Sequence, residues 1–268
     1  LWHEDCVAAM QKLEPDSVQL VLADPPYEGV VSQKWDRVKN YMQFSGAWLA
    51  QAVRVLRPGG ALLVYGSPER NWTSRLAVML EDELGMKLVQ NLVWVYNQGG
   101  GSRVSSMSKT AVQHEILLWF EKPGGERVFN ADQCVEHYKE EDRALALAKG
   151  KGRVSDESLD RGRPPRSFLD FPRENSRSKE RAYGAHPCMK PLPLCEHLVK
   201  LLSNRGDAVF VPFAGSGSEL LSAAKLGRAA TGAETFDDYV GLMKRRFEGH
   251  RVELEIAERA GEKRPRSP

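Results

Sequence analysis

The sequence predicts an α/β fold with a mostly parallel twisted sheet and helices on both of its faces. Short apolar runs alternate with amphipathic stretches on either side of a basic middle region that contains several glycines and prolines. The chain has 268 residues, of which 41% are hydrophobic and 28% charged, so it can bury a sizeable core. Disordered, collagen-like and coiled-coil architectures are therefore excluded.

Strands and helices alternate in the first half of the chain. Residues 18–23 form a short apolar run that stops at Asp24-Pro25-Pro26, because proline cannot continue a central strand. Apolar residues at helical spacing predict a helix over 41–56, which the segment 57–60 then ends. The remaining elements are predicted as strand 61–65, helix 70–84, strand 88–96, a mobile glycine loop at 99–101 and strand 115–120.

The second half of the chain has the pattern of a helix followed by a strand-turn-helix unit and a further strand and helix. These elements are predicted as helix 192–202, strand 208–211, helix 218–226, strand 229–233 and helix 237–247. The charged tail over 249–268 is predicted to fray.

The middle region is basic. Between residues 149 and 181 there are ten Lys or Arg against six Asp or Glu, in a stretch poor in aliphatic residues. This composition predicts a weakly structured insertion that is either a solvated loop or a surface for nucleic acid. The net charge of +2 does not by itself indicate a nucleic-acid partner. We expect a first half of the main domain at 1–120, the insertion at 121–185, the second half at 186–248 and the tail at 249–268.

The sequence shows neither a membrane span nor a secretion signal. No apolar run approaches about 18 residues, so we expect a soluble, intracellular protein. Because the first residue is Leu1, we also expect that a few residues precede it. The four cysteines contain no CxxC pair and are expected to be reduced thiols. The spacing of His186, Cys188, Cys195 and His197 fits no common zinc finger, so no metal site is predicted.

A glycine-containing loop points to a nucleotide-like cofactor. Phe213-Ala214-Gly215-Ser216-Gly217 follows a predicted strand and opens a helix, where glycines let a ligand approach free N–H groups; the alternative is a plain tight turn. Glu234 follows about twenty residues later, where doubly wound folds place an acid for ribose hydroxyls. Since Leu220 replaces the third glycine of the dinucleotide motif, and no phosphate loop exists, a nucleoside-type cofactor is favoured over NAD or ATP.

Asp24-Pro25-Pro26-Tyr27 is a sharper signal. Two prolines after a strand make a rigid turn that fixes a carboxylate, backbone carbonyls and an aromatic ring in one place. Such a set can receive a flipped-out base, with acceptors for an exocyclic amine and the ring of Tyr27 for stacking. The alternative is a simple end of a strand. Trp35 follows closely enough to be a candidate for substrate contact.

These motifs and their order resemble the DNA amino-methyltransferases that modify adenine N6 or cytosine N4. The early Asp-Pro-Pro-Tyr motif and the late Phe-x-Gly-x-Gly loop look like the beta arrangement of that family. Further stretches that match are Asp5-Cys6, Trp35-Asp36, His114-Glu115-Ile116-Leu117, Arg173 with Ser178-Lys179-Glu180-Arg181, and His186-Pro187-Cys188-Met189-Lys190-Pro191.

The resemblance implies a Rossmann-like methyltransferase fold with a target-recognition insertion, S-adenosylmethionine as cofactor, duplex DNA as partner and a cytoplasmic location in a bacterium or phage-infected cell. It leaves a homodimer and a cognate restriction endonuclease open. The catalytic residues that it implies are Asp24, Pro25, Pro26 and Tyr27. The cofactor residues are Asp5, Cys6, Asp24, Lys190, Phe213, Ala214, Gly215, Ser216, Gly217 and Glu234. The DNA-binding residues are Trp35, Arg173, Ser178, Lys179 and Arg181.

The base is expected to be adenine, because cytosine-N4 members of the family more often begin the catalytic motif with Ser. Cytosine N4 stays open as the alternative target, and RNA as an alternative substrate. The main departure from the family pattern is Val211, which stands where an aspartate is usual. If this change abolishes cofactor affinity, the protein is a DNA binder without catalysis. Glu4, Cys188 and Met189 also depart from the pattern.

Overall fold

The computed structural model describes residues 1–96, 110–138, 140–149, 155–175 and 177–258, which leaves the predicted glycine loop outside the described residues. Its strands are β1 (Trp2–His3), β2 (Val18–Ala23), β3 (Leu56–Gly66), β4 (Lys87–Val95), β5 (His114–Glu121), β6 (Phe168–Asp170), β7 (Ala208–Val211), β8 (Ala229–Gly232) and β9 (Ala257–Glu258). Its helices are α1 (Cys6–Gln11), α2 (Tyr41–Val55), α3 (Trp72–Val78), α4 (Glu140–Lys149), α5 (Asp156–Asp160), α6 (Leu192–Leu202), α7 (Ser218–Lys225) and α8 (Asp237–Gly249).

Seven strands form one sheet in the order β6-β4-β5-β3-β2-β7-β8. Within the described sheet β5 alone runs antiparallel to its neighbours, and every other pairing is parallel. The chain passes from β2 towards β3 on one side, and later returns to place β7 on the other side of β2. The β2–β7 border is therefore the point where the strand order reverses, which is where open α/β sheets bind ligands.

Helices cover both faces of the sheet, as the sequence predicts. Because side chains alternate along a strand, Leu20 and Leu22 of β2 face one hydrophobic core while Val21 and Ala23 face the other. The first core includes side chains from α6, α7 and α8, and the second includes side chains from α1, α2 and α3. No helix in the described ranges is both long and apolar enough to cross a membrane.

The predicted elements in both halves are confirmed, with shifts at their ends. The largest shift is at β3, which begins at Leu56 and includes the segment expected only to end the helix. There Gly59 donates its N–H to Lys122 O at 2.8 Å and Lys122 donates to Gly60 O at 3.0 Å, so pairing with the chain beyond β5 extends the strand. The predicted helix 70–84 is α3 followed by a π-helical turn over Met79–Glu83.

The tail is ordered further than its charge predicts. Residues 250–258 follow α8, with Val252, Leu254 and Ile256 packed against the first core. Residues Ala257–Glu258 form β9, which pairs in parallel with β1. The expectation of fraying from 249 is therefore wrong up to Glu258, because charges alternate there with apolar residues that bury one side of the chain.

The insertion combines irregular chain with short elements. Its described residues include α4, α5 and single-turn 3₁₀ helices at Ala131–Cys134 and Lys179–Tyr183. Residues Phe168–Asp170 form β6, which pairs in parallel with β4 at the edge of the main sheet. The insertion is thus attached to the sheet at one edge and to the second half of the chain through Lys179–Tyr183, which packs against α8.

Candidate active site

A cavity of about 260 Å³ opens at the carboxyl ends of β2, β7 and β8, next to the point where the strand order reverses. Nine of the ten residues predicted to contact a cofactor line it, and Gly217 is the exception. The structure therefore brings these predicted residues together from the end of β2, the β7–α7 loop, the end of β8 and the start of α1.

The glycine loop bends tightly around the start of α7. Gly215 and Gly217 have φ angles of +50° and +78°, in the left-handed region that favours glycine. A Cβ at Gly215 would lie 3.0 Å from His186 Nε2, and one at Gly217 would lie 2.6 Å from Met243 Cγ. The loop therefore needs glycine at both positions, and at Gly215 this keeps the cavity wall free of side-chain atoms.

Two acids, Glu234 and Asp5, also line the cavity. Glu234 is buried and accepts N–H groups from Gly215 (2.7 Å), Thr235 (2.8 Å) and Phe236 (2.9 Å). Because a carboxylate has about four acceptor positions, one remains for a ligand hydroxyl. Burial raises the pKa of Glu234, which these backbone N–H groups oppose. Asp5 caps α1 by accepting from Val7 at 2.9 Å, next to the buried Cys6.

Asp24 lies in a cluster of charged and polar groups at the end of β2. Lys190 donates to Asp24 Oδ2 at 2.6 Å and lies 3.3 Å from Glu115 Oε2. The Tyr27 hydroxyl donates to Asp24 Oδ1 at 2.6 Å and lies 3.0 Å from the same Glu115 oxygen. Both Asp24 oxygens are thus engaged, and the hydroxyl of Tyr27, expected to offer a stacking ring, also binds the carboxylate.

Burial governs the ionisation of this cluster. It raises the pKa of Asp24, an effect that Lys190 opposes and Glu115 reinforces. Burial alone would lower the pKa of Lys190, but Asp24 and Glu115 raise it above its ordinary value, so the ammonium stays charged. Burial also lowers the pKa of His186 to about 3, with Lys190 adding to the effect, and this imidazole is neutral near pH 7.

The loop after Asp24 is held by Asp36. This carboxylate is buried and accepts the N–H of Tyr27 at 2.5 Å and that of Val31 at 2.7 Å. Its neighbour Trp35 donates to the Tyr239 hydroxyl at 2.9 Å and stacks on His186 with ring centroids 5.8 Å apart. Trp35, predicted to contact DNA, therefore lies on the wall of this first cavity, together with the residues predicted to contact the cofactor.

A second cavity of about 320 Å³ lies beyond Tyr27 and Lys190, which line both cavities. Arg173 and Arg181, both predicted to bind DNA, line this second cavity. Arg173 lies over the Tyr96 ring at 3.5 Å and 3.4 Å from Glu115 Oε1.

The other two residues predicted to bind DNA lie outside both cavities. Ser178 caps the 3₁₀ turn by accepting from Glu180 N at 3.2 Å, and Lys179 is exposed. The five predicted DNA residues are therefore divided between the first cavity, the second cavity and the adjoining turn.

The protein has an open, mostly parallel sheet, a cavity at the point where the strand order reverses, and an Asp-Pro-Pro-Tyr turn on the cavity wall. These features are those of the Rossmann-like methyltransferases. Comparisons with known proteins narrow this class. Residues 18–245 match the N6/N4 methyltransferase family, described as DNA methylases. The chain belongs to this family of DNA methyltransferases.

Individual relatives agree with this assignment. The type II methyltransferase M.HpaI of Haemophilus parainfluenzae is 27% identical over 252 residues, which are 91% of this chain and 72% of that protein. The structure of the cytosine-N4-specific PvuII DNA methyltransferase aligns with a TM-score of 0.68 at 18% identity, covering 91% of this chain and 84% of that one. A DNA modification methylase of Thermus thermophilus, complexed with S-adenosylmethionine, aligns with a TM-score of 0.63 at 23% identity, covering 98% of each chain.

The sequence prediction gave no role to several residues of the site. Glu115, Glu219 and Arg246 reach the site from β5, α7 and α8, and each is buried. For Glu115 the available signal was a charged residue inside an otherwise apolar strand, whereas Arg246 lies in the charged helix α8, where no such signal exists. Cys195 is fully buried within α6, and no three His, Cys, Asp or Glu side chains among the described residues converge as a metal site would require.

Proposed function

We propose that this protein transfers a methyl group from S-adenosylmethionine to the N6 amine of adenine in duplex DNA. The observation that carries the proposal is the position of Asp24 on the wall of the first cavity, which we assign to the cofactor. Tyr27 and Lys190 lie between this cavity and the second one. One ligand thus has room on each side of the catalytic turn.

The first cavity suits the cofactor. A Cβ at Gly215 would crowd His186 on the cavity wall, so the loop keeps bare backbone there, and Glu234 has an acceptor position left for a ribose hydroxyl. Val211, the departure from the family pattern, packs in the first core and does not line the cavity. When bound, S-adenosylmethionine supplies an electrophilic methyl group on a sulfonium.

The second cavity suits the flipped-out base. Its lining includes Tyr27, Trp94 and Tyr96, whose rings can contact a base, and Arg173 at the entrance of the recognition segment. We assign the insertion and these arginines to contact with duplex DNA. The homodimer and the cognate restriction endonuclease stay predictions, the second consistent with a relative named as a type II methyltransferase.

Asp24 and the Pro25 carbonyl orient the amine for a direct displacement. An exocyclic amine is a poor nucleophile because its lone pair is delocalised into the ring, so acceptors for its two hydrogens localise that pair. The amine takes the place of the Tyr27 hydroxyl at Asp24 Oδ1 and attacks in line, with the carboxylate stabilising the positive charge that develops on nitrogen. Asp24, whose pKa burial raises, then takes the proton.

No cysteine forms a covalent intermediate in this mechanism. Cys188 is the cysteine that lines both cavities, and burial raises its pKa to about 12, so its thiol is protonated near pH 7. The choice of adenine over cytosine rests on the Asp that begins the catalytic motif. Cytosine N4 is the alternative, since the family includes both targets and a cytosine-N4 enzyme shares the fold.

The product identifies the reaction. The protein is incubated with labelled S-adenosylmethionine and unmethylated duplex DNA, and the DNA is digested to nucleosides for mass spectrometry. We expect N6-methyladenine with the wild-type protein and at least about a hundredfold less with Asp24→Ala in parallel. N4-methylcytosine would contradict the assignment of the base while keeping the mechanism. RNA replaces DNA in a second incubation: methylation of RNA alone would overturn the substrate, and no product on either polymer would overturn the proposed activity.

A further inference from the structure

Glu219 is a buried acid in the wall of the cofactor cavity that the mechanism above does not use. It lies in the first turn of α7, where its residue surface is 4% exposed, and it lines the cavity. Its Oε1 has no hydrogen-bond partner among the described residues. Because an unpaired buried acceptor is costly, a carboxylate with such an atom in the lining of a ligand cavity indicates a positive group that the ligand supplies.

The charges around Glu219 show what kind of group that is. Asp24 and Glu115 share the Lys190 ammonium, Arg173 lies 3.4 Å from the other Glu115 oxygen, and Glu219 adds a third carboxylate near Lys190. Arg246 is near Glu219 but directs its Nε and Nη2 to Glu180 and its Nη1 to Ser216 O and Ser218 Oγ. With every carboxylate ionised, the cluster is short of positive charge, and a cationic ligand would balance it.

We propose that Glu219 binds a positively charged group of the cofactor and so aligns its methionine end beside Asp24. The inference rests on the proposed function, because it takes S-adenosylmethionine as the occupant of the cavity. That molecule carries two positive groups, an α-ammonium and a sulfonium. Either group beside the Glu219 carboxylate would offset its buried negative charge, and the ammonium would also donate a hydrogen bond.

Ionisation of Glu219 then depends on the ligand. Burial raises its pKa to about 7, Asp24 adds to this, and Lys190 and Arg246 oppose it. Tyr65 of β3 and Cys195 of α6 also face Glu219, and burial raises the pKa of each, so both are neutral near pH 7. A bound cation favours the carboxylate, so binding releases a proton from Glu219 and tightens as the pH rises through about 7.

The pH dependence provides the first test and needs no variant. Calorimetric titration of the wild-type protein with S-adenosylmethionine at about pH 7, in two buffers of different ionisation enthalpy, is expected to show release of about half a proton. The neutral analogue 5′-methylthioadenosine, which has neither cationic group, is expected to show none. Equal proton exchange with both ligands would overturn the proposal.

Glu219→Gln provides the second test, since glutamine keeps the size of the side chain and removes its charge. We expect its affinity for S-adenosylmethionine to fall about tenfold or more, with its affinity for 5′-methylthioadenosine unchanged as evidence of an intact cavity. Between about pH 6.0 and about pH 7.5 the wild-type affinity should rise up to eightfold more than that of the variant, because titration of the ligand is common to both proteins.

S-adenosylhomocysteine separates the two cationic groups, because it keeps the ammonium and lacks the sulfonium. A loss of its affinity in Glu219→Gln assigns the ammonium to Glu219, and an unchanged affinity assigns the sulfonium. An equal loss for all three ligands would show a structural role and overturn the proposal, as would an unchanged affinity for S-adenosylmethionine. Failure of the wild-type protein to bind S-adenosylmethionine would instead contradict the proposed cofactor.

Discussion

The carboxylate of Asp24 has two donors in the structure, the Lys190 ammonium and the Tyr27 hydroxyl, and a substrate amine would replace the second. Asp24→Ala is therefore expected to lower turnover by about a hundredfold or more, because the amine loses both its orientation and its charge support. Affinity for S-adenosylmethionine should stay largely intact. Methyl transfer at saturating DNA and a calorimetric titration measure the two quantities.

Asp24→Asn is the matched control for this prediction. Asparagine keeps the volume and one acceptor oxygen but cannot take a proton, so an intermediate turnover is expected. Lys190 keeps Glu115 as an ionic partner in both variants, which supports a folded protein in each case. Wild-type turnover in Asp24→Ala would remove Asp24 from the mechanism.

Some residues of the site can be recognised from the sequence, and others cannot. Asp24, Tyr27, Gly215 and Glu234 belong to short motifs whose local chemistry is visible in the sequence. Glu115 lies 88 residues from Tyr27 along the chain, and a contact over that distance follows only from the pairing of strands. For the same reason, the sequence shows that Val211 stands where an aspartate is usual, but it does not show that Glu219 lies on the cavity wall.

At the scale of elements, Arg246 of α8 connects the end of the insertion to the glycine loop. Its side chain is fully buried, donates to Glu180 Oε2 through Nε (2.9 Å) and Nη2 (2.6 Å), and reaches Ser216 O at 2.6 Å through Nη1. Glu180 lies in the 3₁₀ turn at the end of the insertion. One guanidinium thus fixes both the glycine loop and the 3₁₀ turn that contains Glu180.

Arg246→Leu is expected to lower the free energy of unfolding by about 3 to 5 kcal/mol, because it removes a fully buried guanidinium and leaves Glu180 Oε2 and the Ser216 carbonyl without their donor. Cofactor affinity should fall as well, since the loop loses its anchor. Arg245→Leu is the matched control, because Arg245 is exposed and donates only to Tyr183 O among the described residues, so its loss should cost less than about 1 kcal/mol. Urea unfolding compares the variants, and equal losses would contradict the proposed connection.

Glu180 should also give the protein a specific sensitivity to acid. Burial would raise its pKa, but Arg246 and His250 outweigh this and hold the pKa below the ordinary value of 4.5. A lowered pKa in the folded state contributes stability above the unfolded pKa that is lost as the pH falls through the folded pKa. The stability difference between wild type and Glu180→Gln should therefore be constant above about pH 5 and shrink below about pH 4.5. A difference that does not change with pH would contradict this.

Elements with a clear period were predictable, and those that depend on a distant partner were not. The buried runs of β2 and β7 and the apolar faces of α2 and α6 appear in the sequence at nearly the observed positions. By contrast, β6 and β9 have three and two residues, too few for a period to show, and each exists because a strand far away in the chain offers its edge.

At the scale of the whole molecule, the two halves of the chain share one sheet, with β2 of the first half pairing with β7 of the second. The end of the described chain returns to its beginning through the β1–β9 pair. Strand β1 leads directly into Glu4, Asp5 and Cys6 on the cavity wall. Residues 250–258 therefore support this cavity wall from outside, although none of them belongs to its lining.

Truncation after Gly249 tests this support. Loss of the partly buried Val252, Leu254 and Ile256 should cost about 2 to 4 kcal/mol and lower the melting temperature by several degrees. Without β9, the residues after β1 lose their outer contact, so affinity for S-adenosylmethionine should also fall. Truncation after Glu258 is the matched control, because it keeps β9 and Val252, Leu254 and Ile256, and we expect the shorter protein to be less stable and to bind the cofactor more weakly than this control. If both truncations behave alike in thermal unfolding and in cofactor titration, β9 has no role in holding the cavity, and the apolar residues 252–256 contribute nothing to the core.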